Sequence, residues 1–207
     1  MLTLLRSVHV SNSQMHLGKW HRFFGKRLSE VTIGIIGIGR IGKGVLEHLK
    51  GFGNPKILVN DISIKDDINN KFNVKWSSKE EIYKKSDIVS LHLPLTGETK
   101  NMIKKNHLLS MKTDAIIINT SRGGIINESD LYEVMKSGHL SGAAIDVFNQ
   151  EPYNGPLKKI ERCLLTAHMG SMSIDCRARM EIEATEEAVR FLTGKKLEGR
   201  VSEGEYE

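Results

Sequence analysis

Gly37-Ile38-Gly39-Arg40-Ile41-Gly42 is the stretch of this sequence whose residue types and spacing most directly carry chemistry. Glycines at this spacing allow, in turn, a tight backbone turn, close approach of backbone to an anionic group, and tight packing of a helix on a strand. Alone, such a stretch is a weak signal. Its surroundings strengthen it. The apolar, β-branched run Val31-Thr32-Ile33-Gly34-Ile35-Ile36 before it reads as a strand buried on both faces. A helix is expected after it, with Ile41, Val45 and Leu49 along one side and Gly51 and Gly53 as its stop. A strand, a glycine turn and a helix N-terminus with unpaired N–H groups make a seat for a pyrophosphate, so the expected ligand is a dinucleotide.

Asp61 stands about 20 residues further on, where the second strand, Ile57-Leu58-Val59, runs out. A carboxylate there accepts hydrogen bonds from the adenosine ribose hydroxyls and repels a 2′-phosphate, which points to NAD rather than NADP. Lys65 is close enough in sequence to reach such a phosphate. The plain alternative for Asp61 is a solvated turn residue.

These groups need elements to hold them, and the rest of the chain supplies an alternating series. After a polar stretch, a third strand is expected around Val74-Lys75-Trp76, and Ser78-Lys79-Glu80-Glu81 has the spacing that opens a short helix through Lys85. Strands follow at 87–93, 115–119, 142–147 and 163–166. Helices are expected at 108–111, at 128–137 with Asn127 as N-cap and Gly138 as the glycine after its end, and at 174–192. Strand and helix in alternation predict an α/β fold with a doubly wound parallel sheet of the Rossmann type. Leu2, Leu4, Leu5 and Val8 suggest one further helix, and Gly18 to Phe24 an aromatic arm in which Trp20, Phe23 and Phe24 are expected to pack.

Composition narrows the function classes. With 39% hydrophobic and 27% charged residues in 207, the chain reads as one globular domain with a small appendage. The net charge of +5 comes from scattered lysines and arginines with no aromatic-rich basic face, so nucleic acid is not an expected partner. No run approaches the roughly 18 apolar residues of a membrane span, and Cys163 and Cys176 lack disulfide-framework or metal-ligand spacing. A soluble protein in a reducing cytoplasm, without a bound metal, is the expectation.

Six stretches in order carry a resemblance to a known family. They are Gly18-Lys19-Trp20, Gly34 to Gly42, Leu91-His92-Leu93-Pro94-Leu95-Thr96, Asn119-Thr120-Ser121-Arg122-Gly123-Gly124, Gly142 to Phe148 with Glu151-Pro152, and Thr166-Ala167-His168. The chain resembles the D-isomer-specific 2-hydroxyacid dehydrogenases, which include phosphoglycerate dehydrogenases and glyoxylate or hydroxypyruvate reductases. The resemblance implies NAD-dependent hydride transfer between nicotinamide and a small 2-hydroxy or 2-oxo acid, with Arg122, Glu151 and His168 as the catalytic group. A guanidinium clamps a carboxylate in two-pronged fashion, an imidazole moves a proton near neutrality, and a carboxylate fixes the imidazole's tautomer. Taken one at a time, each has an ordinary reading: a surface ion-pair partner, a loop charge before proline, a helix-start residue.

The same resemblance implies that Gly37, Gly39, Arg40, Ile41 and Gly42 sit at the pyrophosphate, Asp61 at the ribose and Pro94 near the adenosine. Thr120, Ser121, Arg122, Asp146 and His168 would line the nicotinamide half, followed by Gly170 and Ser171, whereas His92 is expected to be structural or solvated. It divides the chain into an interdomain helix and arm (1–30), the nucleotide-binding domain (31–192) and a tail (193–207), with a homodimer formed through the arm around Trp20. Family members also carry a substrate-binding domain of on the order of 100 residues ahead of that helix, where this chain begins, so Arg122 and His168 are expected to face an open cleft. The competing reading is a non-catalytic, dimerising NAD-binding module. A Rossmann enzyme of another class would leave the Glu151 and His168 match unexplained.

Overall fold

The structure is a computed structural model that describes residues 1–200. Seven strands, β1 (Thr32–Ile36), β2 (Lys56–Asn60), β3 (Val74–Trp76), β4 (Ile88–Leu91), β5 (Ile116–Asn119), β6 (Gly142–Ile145) and β7 (Cys163–Leu165), make one sheet. Their order is β3-β2-β1-β4-β5-β6-β7, and every pairing is parallel. The helices between them are α3 (Arg40–Leu49), α4 (Asp66–Lys71), α5 (Lys79–Lys85), α6 (Lys105–Ser110) and α7 (Glu128–Ser137). Helices α1 (Leu2–Leu5) and α2 (Val8–His16) precede the sheet, and α8 (Ile174–Leu192) follows it.

Why the strands read as unbroken apolar runs is visible in β5. Ile116 and Ile118 join one core cluster while Ile117 joins the other, because successive side chains alternate between faces and both faces are covered. On the first face the cluster includes Leu46 and Leu49 of α3 with Leu4 and Leu5 of α1; on the second, Ile82 of α5, Leu108 of α6, and Leu131 and Met135 of α7. Each fully buried Ile or Leu contributes about 1.5–3 kcal/mol, so these two layers hold the strand ends in place.

Local signals set the helix boundaries. Asn127 accepts the Asp130 N–H at 3.0 Å and Gly138 leaves α7 at φ 82°, while Ser78 Oγ accepts the Glu81 N–H at 3.1 Å to start α5. The Glu81 carboxylate is drawn instead to Lys75 and Lys85, at 2.8 and 2.7 Å.

Several expectations need correction. The buried side of α3 is Gly42, Leu46 and Leu49, and Ile41 is exposed, so the apolar face is turned from the one expected and leaves Ile41 at the crevice. The polar stretch after β2 holds a helix, α4, whose one buried residue, Ile68, gave too little periodicity to reveal it. The N-terminal helix is two helices, because Ser7 adopts a left-handed backbone at φ 48° and turns the chain; Val8 is exposed while Val10 is buried. In the arm, Trp20 and Phe24 are 75% and 104% exposed, contrary to the expected packing, since residues 19–27 lie in no helix or strand. Helix α8 has the predicted bounds but no buried residue. Of the tail, residues 201–207 lie outside the described residues.

No helix among the described residues is long and apolar enough to cross a membrane. Neither cysteine is paired, and burial pushes the Cys163 thiol up to about 12. No group of His, Cys, Asp and Glu among the described residues could hold a metal ion.

Candidate cofactor and active site

Because the strand order reverses direction between β1 and β4, a crevice opens at their carboxyl ends, the place where parallel sheets take ligands. Every expected site residue follows the end of a strand on that edge: the glycine turn after β1, Asp61 after β2, Pro94 after β4, Thr120 to Arg122 after β5, Asp146 after β6, His168 after β7.

The glycine turn shows why its residues are glycines. Gly37 has φ 96°, and a Cβ on it would lie 2.2 Å from the His92 carbonyl oxygen; one on Gly42 would lie 2.1 Å from the Gly37 carbonyl oxygen. Backbone cannot yield to such contacts. Gly39 is different, for nothing of the protein lies within 4 Å of where its Cβ would be. It is the N-cap of α3 and offers no side chain to the first turn, so the orphan N–H groups face open space. This is an anion cradle that a side chain at residue 39 would obstruct, and it fits a dinucleotide pyrophosphate. Arg40 and Ile41 are exposed beside it.

Asp61 is tied to this turn. Its Oδ2 accepts the Ile38 N–H at 2.7 Å and the Lys65 ammonium at 2.9 Å, and its Oδ1 accepts the Ile62 N–H at 2.8 Å. Burial works against the ionised form, but these donors outweigh it and hold the carboxyl below its usual range. Pro94 is exposed, its carbonyl accepting the Thr99 hydroxyl at 2.7 Å.

At the other end of the crevice, His168 Nδ1 lies 2.9 Å from Glu151 Oε2, and Glu151 Oε1 accepts the Phe148 N–H at 3.0 Å. The hydrogen bond to His168 first, and that from Phe148 second, lower the Glu151 pKa. The carboxylate therefore holds the Nδ1 side of the ring and leaves Nε2 free. His168 itself has φ 52°, a left-handed backbone uncommon outside glycine, and its N–H donates to the Asp146 carbonyl at 2.8 Å. Asp146, 5% exposed, accepts the Thr166 hydroxyl and the Met169 N–H, both on Oδ1. A cavity of about 660 Å³ lies beside the pair, lined by Phe148, Glu151, Tyr153, Thr166 and His168 among others.

Arg122 is not joined to that pair by any hydrogen bond or ion pair; its Nη1 donates to the Ser121 carbonyl at 2.7 Å. Thr120 is exposed, Ser121 half-buried, and Gly170 and Ser171 continue from His168 along the same edge. One residue that received no role from the sequence is Asn119. It is 2% exposed, accepts the Ser121 N–H and hydroxyl at 3.1 and 2.8 Å, and donates to the Arg122 carbonyl at 2.8 Å. A polar residue closing the apolar strand Ile116–Ile118 was the available signal.

Residues 1–170 match the family model described as D-isomer specific 2-hydroxyacid dehydrogenase, NAD binding domain. A glyoxylate reductase from Korarchaeum cryptofilum is 36% identical over 203 residues, covering 94% of this chain and 61% of that protein. A D-3-phosphoglycerate dehydrogenase from Methanocaldococcus jannaschii is 33% identical over 216 residues, covering 98% of this chain and 39% of that protein. Among solved structures, the D-lactate dehydrogenase of Aquifex aeolicus, complexed with NAD and lactic acid, superposes with a TM-score of 0.84 at 27% identity, covering 93% of this chain and 63% of that one. The chain thus spans about three fifths or less of the length of these relatives. It belongs to the D-isomer specific 2-hydroxyacid dehydrogenase family, as that family's NAD-binding domain.

Proposed function

We propose that this chain is the cofactor-binding and proton-transferring part of an NAD-dependent D-2-hydroxyacid dehydrogenase acting on a small 2-oxo or 2-hydroxy acid of the glyoxylate, hydroxypyruvate or phosphoglycerate type. The observation that carries the reading is the Glu151–His168 pair, 2.9 Å apart, on the same edge of the sheet as the glycine turn. Bound NAD supplies the hydride donor or acceptor. His168 Nε2 donates a proton to the carbonyl oxygen in the reducing direction and takes one from the hydroxyl in the other. Glu151 holds the Nδ1 side of the ring and so fixes its tautomer. Arg122 leaves the Ser121 carbonyl to clamp the substrate carboxylate with its fork of donors.

For the cofactor, Gly37, Gly39, Arg40, Ile41 and Gly42 receive the pyrophosphate, Asp61 the ribose and Pro94 the adenosine side. Thr120, Ser121, Asp146, Gly170 and Ser171 surround the nicotinamide half, with Asp146 Oδ2 left to accept from the carboxamide. We assign residues 1–30 to an interdomain helix and arm, 31–192 to the NAD-binding domain and 193–207 to a tail. The exposed Trp20 and Phe24 support a homodimer through the arm, and two unpaired cysteines fit a reducing cytoplasm.

A second reading, a dimerising NAD-binding module without turnover, is favoured by Arg122 being folded onto its own neighbour. Titration with NADH by fluorescence, followed by NADH oxidation with glyoxylate, hydroxypyruvate, phosphohydroxypyruvate and pyruvate, separates the two. Binding with turnover of one of these acids is the expected result. Binding alone would move the assignment to the module, and absence of NADH binding would sink both.

A further inference from the structure

A carboxylate at the adenosine ribose excludes a 2′-phosphate only while its charge stands unopposed. Asp61 is opposed. Lys65 Nζ lies 2.9 Å from Asp61 Oδ2 and also donates to the Ile38 carbonyl at 2.8 Å, so the ammonium bridges the end of β2 to the glycine turn. The pair is sheltered, with the Asp61 side chain 11% and that of Lys65 29% exposed, where opposite charges are screened less than on an open surface. A second pair stands alongside, Lys43 of α3 against Asp67 of α4 at 2.7 Å. Ile62 and Ser63, between Asp61 and Lys65, are exposed, which leaves that edge open to solvent.

We propose that Lys65 makes the ribose subsite tolerant of a 2′-phosphate, so that this domain binds NADPH alongside NADH. The inference rests on the cofactor reading above and deepens it. An ammonium has three N–H donors, and Asp61 and Ile38 engage two of them. The third is available to a phosphate oxygen on the ribose, and the ammonium can pivot outward on its flexible stem to offer more. With NADH, Lys65 stays on Asp61, which still accepts from a ribose hydroxyl through the lone pair that the Ile62 N–H leaves on Oδ1. With NADPH, the ammonium turns to the phosphate, and the repulsion that Asp61 alone would exert is compensated.

The test is a pair of fluorescence titrations, NADH and NADPH, on the full 207-residue chain and on Lys65→Met and Lys65→Arg, with urea midpoints to confirm folding. Wild type should bind NADPH with a Kd within about thirtyfold of that for NADH, a gap of roughly 2 kcal/mol. Lys65→Met should widen that ratio by about tenfold or more through weaker NADPH binding, and Lys65→Arg should keep it near wild type. Adenosine 2′,5′-bisphosphate should compete against bound NADH better with wild type than with Lys65→Met. A wider wild-type gap, or equal losses for both cofactors in Lys65→Met, would overturn the proposal, the latter by reducing Lys65 to a support for Asp61. Failure of wild type to bind either nucleotide would overturn the cofactor reading itself, and the proposal with it.

Discussion

The two ends of the crevice are built differently. At the glycine turn, Gly37 is buried, Asp61 is fastened by two backbone N–H groups and an ammonium, and α3 packs Gly42 against the turn so closely that a methyl group would not fit. At the histidine end, the His168 and Glu151 side chains are 50% and 38% exposed, and Arg122 reaches only its own neighbour. One end is fixed by sheet and helix, the other by loops whose firmest anchor is the buried Asp146. Cofactor binding should therefore be a property of this sheet by itself. The proposed proton transfer at His168 would depend also on what excludes water from its exposed face.

The largest expected effect would break that comparison if the two ends proved inseparable. In any assay that shows turnover, His168→Asn should lower kcat by about a hundredfold to ten-thousandfold, the usual contribution of a positioned acid–base group, while leaving the NADH Kd within about threefold. Parallel loss of binding in fluorescence titration would show that the histidine end also holds the cofactor.

Next in size is a contrast within the glycine turn. Gly42→Ala puts a methyl against the Gly37 carbonyl and should cost about 2–4 kcal/mol in urea unfolding, abolishing NADH binding as well. Gly39→Ala meets nothing and has an ordinary φ of −79°, so stability should stay within about 0.5 kcal/mol. NADH binding should still weaken, because the methyl enters the open space to which we assign the pyrophosphate. If Gly39→Ala bound NADH as wild type does, the cradle would lie elsewhere. Smaller again, Asp61→Ala should weaken NADH binding about tenfold, the value of hydrogen bonds to a charged group.

How much of this was legible in the sequence follows the same division. The glycine turn, Asp61 and the β5 run Ile116–Asn119 were readable because backbone geometry and two-sided burial restrict which residues can stand there. The break at Ser7 was not, since its left-handed backbone depends on how α1 and α2 meet rather than on any glycine or proline. Helix α4 buries a single residue, Ile68, and so has no periodic signature. The exposed Ile41, Trp20 and Phe24 defeated a reading that equates apolar with buried. Glu151 and His168 were found through motif resemblance, yet their contact joins residues on separate loops after β6 and β7, and residue types alone say nothing of that. Asn119 was overlooked because a buried amide serving the Ser121–Arg122 turn looks, in sequence, like a strand's last residue.

The smallest effect concerns acid, to which the two ends should respond in different ranges. His92 borders the glycine turn through its carbonyl, and its ring meets Ser90 Oγ at 3.0 Å; burial pushes its pKa down to about 4. The unfolded chain takes up this proton near pH 6.5 and the folded chain only near 4, so stability is full above about 6.5 and declines as pH falls toward 4. Glu151, held low by His168 and Phe148, gives up its charge only below the ordinary carboxylate range, so the histidine end keeps its pair through that interval. His9 is lowered as well, chiefly by burial, and contributes to the same decline. Urea midpoints at pH 7, 6 and 5, on the order of the titration range, should fall in wild type and fall less in His92→Gln. The part that survives should shrink further when His9 is also replaced. An undiminished decline in His92→Gln would mean that the ring beside the glycine turn is open to water, and that this end is less closed than its partner-filled geometry implies.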